Sequence, residues 1–136
     1  MMKQNLFVYG TLKSGECNNL FLRDQDFLGE AVSVKKFLLE DCGVPCLCPY
    51  DCARNRRVQR KAGYIKGELW SVGRVAMRPI DRLEGNYVPL ISRFRLESGV
   101  VKTALVYTMM NWNLTDDDGC QTPDENGILE WSWRRR

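Results

Sequence analysis

One stretch limits what this chain can become. Leu6-Phe7-Val8-Tyr9 runs without a polar break into Gly10-Thr11-Leu12, and the pattern then gives way to Lys13-Ser14-Gly15. Such a run predicts a buried strand that ends in a tight turn at the floor of a pocket. Gly10 permits backbone angles closed to other residues and lets another molecule lie against the main chain. Thr11 adds a hydroxyl, and the amides after the strand have no ladder partner, which leaves them free to bind something else. Taken alone, the same pattern also describes a buried first strand and a turn with no ligand.

The rest of the chain sets the chemistry available. At 136 residues there is room for one real core and not for two. The net charge of +3 has its counterpart in three terminal arginines, Arg134 to Arg136, and the remainder is balanced. No aromatic residue interleaves with the basic ones between Arg54 and Lys61, so no nucleic-acid partner is expected. There is no histidine. That excludes Ser/His and Cys/His nucleophiles and leaves acid–base work to a carboxylate, lysine, tyrosine or cysteine. No apolar run approaches membrane-spanning length and the start lacks a signal-peptide core. No membrane partner is expected, and the localisation expected is cytoplasmic, with reduced thiols.

Along the chain, Asn5–Tyr9 reads as the first strand, and Asn18–Leu22 as a helical turn anchored by Leu20, Phe21 and Leu22. Phe27–Glu40 reads as one or two strands, and Pro45–Pro49 as a short edge strand. Arg54–Lys61 reads as a solvated hairpin tip. Tyr64–Val72 reads as a strand with Tyr64, Leu69 and Trp70 in the core and Gly67 at a point of close approach. Val75, Ala76, Ile80 and Leu83 can share one helix face. Pro79 there predicts a kink, or a helix that begins properly only at Pro79, and Gly85 suits its C-cap. Phe94 and Leu96 alternate with charged residues, Ser98-Gly99 marks a hairpin, and Val100–Met109 returns as a strand. Trp131 and Trp133 imply a tail packed somewhere, such as the pocket rim, with disordered arginines beyond. Short strands with one clear helix predict an α+β domain built on a small, strongly curved or closed sheet. The division expected is a domain over 1–115 and a partly packed tail over 116–136 with flexible last residues.

Two clusters carry candidate chemistry. Cys42, Cys46, Cys48 and Cys52 follow C-x3-C-x-C-x3-C, unlike the C-x2-C pairs of zinc knuckles and ribbons. Extended backbone points Cys46 and Cys48 the same way, and reduced buried cysteines acting as small hydrophobes are preferred to a metal site. No metal and no cofactor are expected. In Asp81-Arg82-Leu83-Glu84-Gly85, Glu84 falls at a helix C-terminus, where the dipole disfavours a carboxylate. In an apolar site its pKa rises, which suits it to taking and giving protons; exposed to water it is an ordinary helix-end residue. Glu68 is a rival carboxylate that either faces water or pairs with a basic group.

Five segments, in order and at similar spacing, resemble the γ-glutamylcyclotransferase-like superfamily and its AIG2-like, γ-glutamylamine cyclotransferase branch. Phe7 to Lys13 is similar to V-Y-G-[ST]-L, Gly15 to Asn18 to Gly-x-x-Asn, and Gly43 to Cys48 to Gly-Tyr-Pro-Ala-Leu-Val. Ile65 to Trp70 is similar to V-x-G-E-L-Y/W, and Asp81 to Gly85 to L-D-x-[LF]-E-G. The resemblance covers Leu6 to Met110. It implies a small mixed β-barrel flanked by short helices. It also implies a substrate cradle at Tyr9, Gly10, Thr11 and Leu12, and a catalytic Glu84. The reaction implied is intramolecular aminolysis of a γ-glutamyl amine or amino acid to 5-oxoproline, by a monomer or weak homodimer. Two departures fall near Glu84. The branch's Tyr-x-Arg reads Ile91-Ser92-Arg93, with Tyr87 a substitute from a shifted register, and Pro79 is unusual in the helix. They motivate an alternative, a silent small-ligand-binding module of the same fold. A third reading is an interaction protein acting through Trp131, Trp133 and the arginines.

Overall fold

β1 (Lys3–Val8) is hydrogen-bonded along both edges, and the remaining strands close around it. The computed structural model describes residues 3–41, 43–109 and 119–131. Its other strands are β2 (Asp26–Ser33), β3 (Phe37–Asp41), β4 (Pro45–Pro49), β5 (Tyr64–Gly73), β6 (Val88–Leu96), β7 (Val101–Thr108) and β8 (Ile128–Leu129). The main sheet runs β1-β7-β6-β2-β5-β8, and β1 also pairs with β5, so five strands form a closed ring. The β1–β7 pairing is parallel and the others in the ring are antiparallel. This is a small mixed barrel of the α+β class, as the sequence predicts. β8 pairs in parallel with Tyr64 and Ile65, at the start of β5, which β1 does not reach.

Closure explains why Leu6-Phe7-Val8-Tyr9 has no polar alternation. Phe7 and Tyr9 point into the barrel with Leu69, Phe94 and Val106, and Phe7 stacks on Phe94 with ring centroids 4.0 Å apart. Leu6 and Val8 point outward, under α2 (Arg74–Leu83), with Trp70, Val72 and Ile80. At Gly67 the strands approach closely: a Cβ there would collide with the Val8 carbonyl oxygen and lie 2.7 Å from the Phe7 ring. The register of β2 on β5 shifts between Phe27 and Gly29, an irregularity of the kind that bends a strand around a barrel.

The hairpin of β3 and β4 forms a separate two-stranded sheet. Leu39 and Leu47 pack with the barrel core, whereas Leu38 and Cys48 join Cys52, Val58 and Cys120 in a second cluster. Cys46, Cys48 and Cys52 are buried, and Cys42 lies outside the described residues. Among the described residues, no three His, Cys, Asp or Glu side chains are grouped to hold a metal. Nor is any helix there long and apolar enough to cross a membrane.

Several local expectations are corrected. Arg54–Lys61 is not a hairpin tip: α1 (Arg56–Gln59) is a one-turn helix capped by Asn55, whose side chain accepts from the Val58 amide, and Val58 is buried. α2 begins five residues before Pro79 and encloses it. Its buried residues are Met77 and Ile80, with Ala76 packed beside them, while Val75 is 78% exposed. Glu84, not Gly85, is the C-cap. Leu20 is exposed in the 3-10 turn Asn19–Leu22, which is anchored by Leu22, and Tyr64 is half-buried. Trp131 is buried in the barrel core rather than at the pocket rim, and its carbonyl accepts from Lys13 Nζ at 2.6 Å. Trp133 and the terminal arginines lie outside the described residues.

Candidate active site

The strand β1 ends at Val8, and the chain from Tyr9 to Asn18 folds into a loop held by its own polar groups. The Lys13 amide donates to the Gly10 carbonyl at 3.1 Å and the Asn18 amide to the Thr11 carbonyl at 2.8 Å. Asn18 Nδ2 donates to Thr11 Oγ1 at 2.9 Å, and Asn19 Nδ2 to the Leu12 carbonyl at 2.9 Å. Among the described residues, none accepts from the amides of Thr11 or Leu12. Gly10 does not have a positive φ, so its conformational freedom is not what the loop uses. It is needed for close approach: a Cβ there would lie 2.7 Å from Pro45 Cγ.

Glu68 fixes the far end of the loop. Its Oε1 accepts from the Ser14 amide at 2.9 Å, from Ser14 Oγ at 3.2 Å and from Trp70 Nε1 at 3.2 Å. The rival carboxylate therefore neither faces water nor waits on a basic group; it ties the loop to β5.

Glu84 arrives from the opposite direction. Its amide still donates to the Ile80 carbonyl at 2.9 Å, and its carbonyl accepts from Tyr87 N at 2.9 Å. The side chain is thus held at the point where α2 turns away. Burial raises its pKa from 4.5 to about 7, because an ionised carboxylate loses hydration there.

The loop and Glu84 meet across one cavity of about 180 Å3. Tyr9, Gly10, Thr11, Leu12 and Glu84 all line it, as do Asn18, Tyr87 and Tyr107. Pro45 and Val44 close it from the β3–β4 hairpin, and Leu83 from the end of α2. The predicted residues are thereby brought to one place. Tyr107, Pro45 and Val44 were not singled out as pocket residues from the sequence. Pro45 and Tyr107 carry only a strand signal in the sequence, and Val44 only its place in the Gly43 to Cys48 segment.

Hydroxyls tie these walls together. Tyr9 Oη donates to the Tyr107 carbonyl at 2.7 Å, and Tyr107 Oη to Asp81 Oδ1 on α2. Burial pushes the Tyr9 hydroxyl well above its ordinary range, with the charges of Tyr87 and Glu84 adding to it. Burial and the Asp81 hydrogen bond do the same to Tyr107. Both phenols stay protonated at neutral pH. Ile91, at the position of the missing tyrosine, is 57% exposed. It lines a separate groove with Tyr50 and Leu90, whereas Tyr87 lines the cavity beside Tyr9 and Tyr107.

Residues 6–135 match the family model described as Gamma-glutamyl cyclotransferase, AIG2-like. The chain belongs to that family. No curated protein matches it significantly. Among solved structures, YkqA from Bacillus subtilis is 28% identical, with a TM-score of 0.63 over 79% of this chain and 36% of YkqA. The chain thus spans little more than a third of that protein. An AIG2-like protein from Mus musculus is 21% identical, with a TM-score of 0.67 over 100% of both chains. A structure titled Gamma-glutamyl cyclotransferase is 14% identical, with a TM-score of 0.54 over 92% of this chain and 74% of that one. At these identities the last two share the AIG2-like fold with this chain.

Proposed function

We propose that this member of the family is a γ-glutamyl cyclotransferase. It takes a γ-glutamyl amine or amino acid and releases 5-oxoproline and the free amine. One observation carries the reading: the Glu84 carboxyl, titrating at about 7, lines the same cavity as the loop from Tyr9 to Leu12.

In the reaction, the substrate's α-nitrogen attacks its own γ-carbonyl carbon. A new C–N bond closes a five-membered ring, and the bond to the leaving nitrogen breaks. Because both partners belong to one molecule, holding the glutamyl chain folded supplies much of the acceleration. The α-ammonium must lose a proton. A carboxylate near 7 accepts it at a far smaller disadvantage than an ordinary glutamate. Glu84 then delivers that proton to the departing nitrogen, and the second proton that the ring nitrogen sheds follows the same route, so the amine leaves as an ammonium. In this reading the Thr11 and Leu12 amides hold the substrate and steady the oxyanion. Tyr9 and Tyr107, kept neutral, contribute shape and no charge.

The test is incubation with γ-glutamyl amines, γ-glutamyl-ε-lysine among them, with 5-oxoproline as the readout. Turnover is expected in the wild type and is expected to fall by about 10²–10⁴-fold in Glu84→Gln. Full activity in that variant would remove the mechanism. Thermal stabilisation by these compounds without turnover would favour the silent binding module.

A further inference from the structure

The barrel closes only part of one edge of β6. β2 pairs with Phe94, Arg95 and Leu96, and the Val34 amide donates to the Arg93 carbonyl at 3.0 Å. Before Arg93 in β6 the two segments part. Ser33 Oγ accepts from the Ile65 amide at 3.0 Å and donates to the Lys35 carbonyl at 2.6 Å. Phe37 then exchanges both backbone hydrogen bonds with Gly63. These anchors hold the Lys35-Lys36 bend away from β6, so the opening is built into the fold. It is a groove of about 540 Å3, lined by the two lysines, by Phe37 and Leu90, and by the exposed Tyr50 and Ile91.

The phase of β6 aims Ile91 at this groove. In an antiparallel pair, residues alternate between bonding the partner strand and turning their N–H and C=O away from it. The Leu96 amide donates to the Val100 carbonyl at the hairpin, and the register on β7 runs unbroken from Arg95 to Val88. Leu90, Ser92 and Phe94 therefore bond to β7, and Pro89, Ile91 and Arg93 face the other way, as the Arg93 carbonyl does toward Val34. Among the described residues, nothing pairs with the Ile91 amide or carbonyl.

We propose that this edge docks an extended acidic peptide, which adds a strand to β6 at Ile91. An extended chain supplies the missing backbone donor and acceptor, and its alternate side chains meet Phe37 and Leu90. Its carboxylates answer the charge. Lys35 and Lys36 are exposed, and among the described residues neither is in a salt bridge. Lys36 Nζ lies 5.7 Å from the Tyr64 ring centroid, and Asp51 is the one acidic side chain lining the groove. A second copy of this chain would bring two more lysines to the same edge and leave that surplus unrelieved. No residue of the groove lines the Glu84 cavity.

The probes are two capped, fluorescein-labelled peptides, one alternating valine with glutamate and one alternating valine with lysine, read by anisotropy. The glutamate peptide is expected to bind about tenfold more tightly or better, and to slow hydrogen exchange at the Ile91 amide by about tenfold or more. Ile91→Pro removes only an N–H that faces away from β7, a change that a free edge tolerates. With its far-UV circular dichroism unchanged, it is expected to weaken the glutamate peptide by about tenfold or more. The double variant Lys35→Glu, Lys36→Glu is expected to reverse the preference between the peptides. Equal binding of both, binding of neither, unaltered exchange at Ile91, or full affinity in Ile91→Pro would overturn the proposal. So would a dimer of the free protein that Ile91→Pro dissociates, since the edge would then belong to a second copy.

Discussion

The Tyr87 hydroxyl donates to the Pro45 carbonyl at 2.6 Å, joining the segment after α2 to the first residue of β4. Pro45 is also the residue against which Gly10 packs. The two halves of the candidate site, the loop and the end of α2, thus register on one proline. Tyr87→Phe keeps the ring and removes the bond. A loss of about 1 kcal/mol in stability is expected, with KM raised more than kcat is lowered, because the wall loosens while Glu84 stays. Denaturant unfolding and steady-state kinetics would measure both.

The two glycines that permit close approach should differ in cost. At Gly67 a Cβ meets backbone, the Val8 carbonyl oxygen, and at Gly10 it meets the Pro45 ring at 2.7 Å. A ring can shift slightly; a closed strand pair cannot. Gly67→Ala is expected to destabilise by about 3 kcal/mol or more, and Gly10→Ala by about 1–2 kcal/mol. Gly10→Ala should in addition raise KM. The reverse order in denaturation midpoints would contradict the closed-ring account of β1.

What the sequence revealed and what it hid follow from range. β1, the hairpin at Ser98-Gly99, the edge strand of β4 and the close approach at Gly67 were legible because each is written in fewer than ten neighbouring residues. α1 was missed because four residues with one buried valine carry no periodicity, although Asn55 before it was a usable cap signal. The face of α2 was misread because its packing is decided by Leu6, Val72 and Leu22 underneath, not by spacing alone. Glu84 and the Gly10 loop were found one by one. Their meeting, and the share of Tyr107 in it, depends on ring closure: Tyr9 and Tyr107 touch across 98 positions of chain.

Two glutamates provide an internal contrast. Glu68 Oε1 accepts three hydrogen bonds from Ser14 and Trp70, and a glutamine retains an acceptor oxygen there. Glu68→Gln should keep kcat within about threefold and lower stability by about 1 kcal/mol or less. Glu84→Gln should abolish most turnover. An equal loss of kcat in both variants would contradict the separate roles.

Proton binding at Glu84 also sets the pH dependence. Its carboxyl moves from 4.5 in the open chain to about 7 in the fold. Between those values the folded state holds a proton that the unfolded state has lost, so this group's contribution makes stability fall as pH rises through the window. Below 4.5 both states are protonated, and the contribution vanishes. Above 7 the buried charge is carried in full. Relative to wild type, Glu84→Gln is therefore expected to be more stable at pH 8, by on the order of 1–2 kcal/mol after discounting for partial solvent screening. The difference should close by pH 4.5. In the active wild type, kcat/KM should rise along a limb centred near pH 7, since free enzyme must present the ionised base. A stability difference independent of pH, or a limb near 4.5, would place the Glu84 carboxyl in water and take away its fitness as the proton carrier.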